Sequence, residues 1–107
     1  MMKTIMIDGK ETALLANAAT PFRFRQIFKK DLLAILGNEK RAEEEGVVTV
    51  TQLAYIMAKQ AEKTDLTTLN ENTFIEWLEG FGPMAFVEAA EDILNVYMDS
   101  AVSSANP

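Results

Sequence analysis

The residues that most often carry out chemistry are scarce in this chain. It has no histidine, which removes the usual general base near neutral pH, and no cysteine, which removes thiolates and disulfides. Ser100, Ser103 and Ser104 lie in a small, polar C-terminal stretch where a nucleophile has no rigid base beside it. Gly9, Gly37, Gly46, Gly80 and Gly82 are scattered and form no phosphate-cradling loop. Carboxylates are plentiful, so an acid–base pair stays open on composition alone. The densest group, Glu43, Glu44 and Glu45, reads as a solvated turn, because charge runs are usually exposed. The alternating acidic spacing of a calcium loop is missing. The expectation is a protein that is not an enzyme and uses neither metal nor cofactor.

Two constellations suit binding rather than catalysis. Arg23, Arg25, Lys29 and Lys30 form a basic patch among aromatic residues, suited to an acidic partner or nucleic acid. The plainer reading is the wet side of an amphipathic helix, since the flanking aromatics fit a core stripe and the net charge is −6. Phe74, Trp77, Leu78, Phe81 and Met84 form the second group. Large aromatics at helical spacing usually point inward, but exposed ones anchor protein interfaces. Met84 adds an adaptable contact.

The elements that must position these residues can be read in order. A chain of 107 residues suggests one domain, here 1–99, followed by a flexible tail, 100–107. Lys3 to Leu15 reads as a β-hairpin around the Asp8-Gly9 turn, with Ile7 facing Lys10 and Ile5 facing Thr12. A lone hairpin is marginal in water, so this one must pack on helices or pair with another edge. Thr20 to Gly37 reads as one helix that anchors the core. Thr20 serves as N-cap, Pro21 opens the first turn and Gly37 closes the helix in a left-handed conformation. Asn38 to Gly46 is either a solvated loop or a short polar helix. A second helix starts near Val48, with a stripe of Val47, Val50, Leu53, Ala54, Met57 and Ala61. Asn70 caps a short third helix. Pro83 opens a fourth, which runs to about Asp99 and buries Phe86, Val87, Ala90, Ile93, Leu94 and Tyr97. The expected class is α+β, mostly α, with a hairpin and about four helices around one core.

The acidic balance repels nucleic acid and anionic membranes. No apolar run approaches the ~20 residues that span a bilayer. The start, MMKTIMIDGKET, lacks the apolar core of a secretory signal. These features suggest a soluble protein of the cell interior.

Read whole, the chain resembles the small tail assembly chaperones of long-tailed phages and prophages of low-GC Gram-positive bacteria. The resemblance is carried by KTIMIDGKETALLANAATPFRFRQIFKKDLL, by TQLAYIMAKQAEKT and by FIEWLEGFGPMAFVEAAEDILNVY, which together cover nearly all the chain. It implies an α+β chaperone made in the host cytoplasm and absent from the finished virion. Such proteins coat the tape-measure protein, keep it soluble and help recruit tail tube subunits. Many also have a longer, frameshifted form. The family offers no motif of functional residues to carry over, so Phe74, Trp77, Leu78, Phe81 and Met84 stand as the partner-binding candidates on physical grounds alone. Open hairpin edges add the expectation of a homo-oligomer. Two other readings compete. One is a structural tail component, such as a tail completion protein. The other is a small phage DNA-binding regulator, which would need a recognition helix rich in Arg, Lys, Asn or Gln.

Overall fold

The computed structural model describes residues 2–99 in full and the backbone of 100–105. The expected tail, 100–107, therefore lies outside the residues described in full. Two strands, β1 (Met2–Ile7) and β2 (Lys10–Leu15), form an antiparallel hairpin. Asp8 and Gly9 both take positive φ, 54° and 75°, as a tight primed turn requires. The register pairs Ile7 with Lys10 and Ile5 with Thr12, as the turn chemistry dictates. One face of the hairpin is packed: Ile7 and Leu14 are fully buried, and Ile5 is half-buried.

Five helices follow among the described residues: α1 (Thr20–Phe28), α2 (Leu32–Leu36), α3 (Glu39–Ala61), α4 (Glu71–Leu78) and α5 (Ala85–Ala105). The architecture is α+β, mostly α. Its centre is α3, which packs against β2, α5, α1, α2 and α4. Every residue from Leu53 to Ala58 is buried, so this stretch is covered all round rather than along one stripe. The anchor of the core is thus α3, not the helix that begins at Thr20.

That first helix is also two helices. Lys29 takes a left-handed conformation, φ 60°, and its N–H closes α1 on the Arg25 carbonyl at 2.9 Å. Asp31 then starts α2, its carboxylate accepting from the Ala34 N–H at 3.1 Å. The apolar spacing continues across the break, which is why periodicity alone reads straight through it. Thr20 does not cap. It is buried, and its hydroxyl accepts from the Asn17 N–H at 3.0 Å and from Gln60 Nε2 at 2.9 Å. The capping position is Ala19, with no side-chain bond. Gly37 closes α2 in a right-handed conformation, φ −81°.

Asn38 to Gly46 is the polar helix rather than the loop. The Asn38 side chain caps it by accepting from the Arg41 N–H at 3.1 Å. Gly46, at φ 40° and ψ −126°, kinks α3 between this polar stub and the buried body. Most other residues would be strained there. Asn70 and Thr73 form a reciprocal capping box on α4. The buried face of α5 is Ala85, Phe86, Ala89, Ile93, Val96 and Tyr97. Val87 is 48% exposed, and Ala90 and Leu94 are half-buried, so the expected stripe is rotated. Among the described residues no helix is long and apolar enough to cross a membrane.

Candidate partner-binding surface

Seven aromatic side chains form one chain of rings from the core to the surface. Phe24 meets Phe28 at 5.3 Å, and Phe28 meets Phe74 edge-on at 5.0 Å. Tyr55 touches Phe74 at 5.3 Å and Trp77 at 5.4 Å. Trp77, Phe81 and Phe86 then close a triangle with centroids 5.0–5.4 Å apart. Tilted and edge-on pairs of this kind are favoured by the ring quadrupoles. Tyr55 is fully buried, and its hydroxyl donates to Thr73 Oγ1 at 2.7 Å. Burial pushes its phenol above the ordinary value of 10.0. Tyr97, on α5, is shifted the same way by burial.

The five aromatic-group candidates are thereby separated by depth. Phe74 is buried, a core residue rather than a surface one. Trp77, Leu78 and Phe81 are half-buried, and Met84 is 54% exposed. Leu78 and Phe81 line a groove of about 260 Å³ with Val47, Gly82, Phe86 and Val87. Exposed apolar side chains continue this surface along the chain. Val48 follows Val47, Met84 precedes Val87 by one turn, and Ile75 precedes Leu78 by one turn. Sequence reasoning misses Val47, Val48 and Val87 as surface residues. Periodicity puts Val47 and Val87 in core stripes, and their exposure follows from the Gly46 kink and the rotation of α5.

The hairpin tip holds the groove in place. Lys10 Nζ donates to the Gly80 carbonyl, and its ammonium sits 4.8 Å from the Phe81 ring centroid. The Gly82 N–H donates to the Asp8 carboxylate at 2.9 Å. The break between α4 and α5 is therefore tied to residues some seventy positions earlier in the chain. Sequence spacing carries no signal for these ties.

The basic candidates do not form one free patch. Lys30 lies 3.5 Å from Glu45 and 3.4 Å from the Thr49 hydroxyl, and it faces the Phe24 ring. Lys29 Nζ donates to the Gln26 carbonyl at 2.8 Å. Arg25 is exposed and Arg23 half-buried on α1. What remains open is Arg25 and Lys29, with Phe22 nearby in the chain at 71% exposure. The groove's volume is below the ~300–1,000 Å³ of sites that enclose small molecules. Its lining suits an apolar side chain from another protein. Neither a scan against protein-family models nor searches of curated proteins and of solved structures find a match to this chain.

Proposed function

We propose that this protein is a non-enzymatic tail assembly chaperone of a long-tailed phage or prophage. It binds the tape-measure protein, keeps it soluble and helps recruit tail tube subunits, acting in the host cytoplasm without entering the mature virion. The observation that carries the reading is the apolar groove of Val47, Leu78, Phe81, Phe86 and Val87. Ile75, Val48 and Met84, one to three positions in the chain from lining residues, are each more than half exposed. A tape measure is long, largely helical and apolar until the tube forms around it. An amphipathic helix laid on this groove would bury its apolar face at i, i+3 and i+4 positions. The excess of carboxylates elsewhere keeps the complex soluble.

Apolar burial contributes roughly 25 cal/mol per Å² before association costs are subtracted, and salt does not screen it. The test is co-expression with the tape-measure protein of the same genome and pull-down across a salt series. A complex that survives high salt supports the reading. Loss in moderate salt moves the site to Arg25 and Lys29, and no complex at any salt refutes the chaperone function.

A further inference from the structure

β1 presents a free edge of the hairpin. In a two-residue hairpin the residues flanking the turn exchange both backbone bonds, and alternate residues along the strand repeat this. Ile7, Ile5 and Lys3 therefore direct their amides to β2, and Met6, Thr4 and Met2 direct theirs outward. Among the described residues nothing bonds to these outward groups. A hollow of about 650 Å³ runs along this edge between β1 and α5, lined by Lys3, Thr4, Met6, Asp92, Asn95 and Asp99. It continues past Met6 and Asp92 into a second of about 310 Å³, beside Asp8 and Glu88. The carboxylates of Asp92 and Asp99 in the first hollow, and of Glu88 in the second, outnumber the single lining amine, that of Lys3.

We propose that this trough binds an extended, basic segment of a partner protein, which adds a third strand to the hairpin. The site is independent of the apolar groove and of the tape-measure reading. Three features select that occupant. The outward N–H and C=O groups of β1 need a strand to pair with. The trough's carboxylates select basic side chains on the strand face turned toward α5. Asp92 and Asp99 stand two turns apart, ~10.5 Å, between the ~7 Å and ~13 Å that separate same-face residues two and four positions apart in a strand, so Lys or Arg side chains at such spacing reach both. The other face of the added strand lies beside Met2 and Met6, 63% and 55% exposed, and suits apolar side chains. The favoured segment thus alternates basic and apolar residues. A second copy of β1 suits the trough less well, since it would bring two acidic α5 faces together.

The test uses the full chain and a synthetic peptide of alternating Lys and Val, with a Glu–Val peptide as control. The readout is amide exchange at Thr4 and Met6 by NMR. With the basic peptide at about ten times its Kd, exchange at these amides should slow about tenfold, and the acidic peptide should have no effect. Asp92→Asn and Asp99→Asn, both at exposed positions, should each weaken binding roughly two- to fivefold. Thr4→Pro removes one outward N–H and should weaken it further without breaking the β1–β2 ladder. Three results would overturn the proposal. One is unchanged exchange at saturating peptide, and another is equal binding of the acidic peptide. The third is protection of Thr4 and Met6 in the free protein that grows with concentration, which would make the occupant a second copy.

Discussion

Replacing Tyr55 with phenylalanine and Thr73 with alanine, singly and together, probes the bond that fixes α4 over the central helix. The Tyr55 hydroxyl is inside the core and donates to Thr73 Oγ1 at 2.7 Å. Thr73 also completes the cap of α4. Its hydroxyl accepts from the Asn70 N–H at 2.9 Å, and its own N–H donates to Asn70 Oδ1 at 3.0 Å. Tyr55→Phe removes one hydrogen bond and leaves Thr73 with its Asn70 partners, so it should cost about 1 kcal/mol. Thr73→Ala removes half the capping box, about 1 kcal/mol, and strands the buried phenol, about 1–3 kcal/mol more. In the Tyr55→Phe background only the cap is lost, so the double variant should cost about 2 kcal/mol. The cycle then yields a coupling of about 1–3 kcal/mol. Urea titration read by circular dichroism gives these values, and each kcal/mol should also move Tm by about 4–8 °C. Strictly additive effects would show that the phenol finds another partner, and that this bond does not hold α4.

Other perturbations test separate parts of the account. Phe28→Ala should destabilise by about 3–5 kcal/mol, because Phe28 is 5% exposed and packs on Phe24, Tyr55 and Phe74. An unchanged Tm would place that ring outside the core. Gly46→Ala should cost about 1–3 kcal/mol from backbone strain alone, since no side chain or other element beyond its chain neighbours lies within 4 Å of the added methyl. A neutral or stabilising result would mean that α3 straightens. Stability should fall as pH rises above 10. Burial raises the phenols of Tyr55 and Tyr97, so over that window the native state holds protons that the unfolded chain has lost. Tyr55→Phe should flatten this alkaline loss, as followed by thermal melts between pH 8 and about 11.

Some of this was legible in the sequence and some was not, for identifiable reasons. The hairpin, its register and the capping of α4 rest on local chemistry: two positive φ values at Asp8-Gly9, and an Asn side chain three residues before the amide N–H that donates to it. Such signals survive folding because they involve neighbours in the chain. The break at Lys29 did not show, because the apolar spacing runs through it and only Asp31 hints at a new start. Thr20 has the chemistry of a cap, yet it is claimed by Gln60, forty residues away. The candidate surface was half legible. Leu78, Phe81 and Met84 lie on or beside the groove, but Phe74 is drawn inside by Phe28 and Tyr55. Val47 and Val87 fit core stripes by spacing, yet beyond the Gly46 kink and on the rotated α5 they are 38% and 48% exposed and line the groove.

Charging the groove tests the central claim most directly. Val47→Asp and Val87→Asp alter positions 38% and 48% exposed, so the fold should tolerate both together with little change in Tm. Soluble tape-measure protein is then measured after co-expression with the native chain or with the double variant. The proposed function predicts abundant soluble tape measure with the native chain and a loss of most of it with the variant, at equal levels of the two chains. Undiminished solubility with a folded double variant would show that the groove is not where the partner binds.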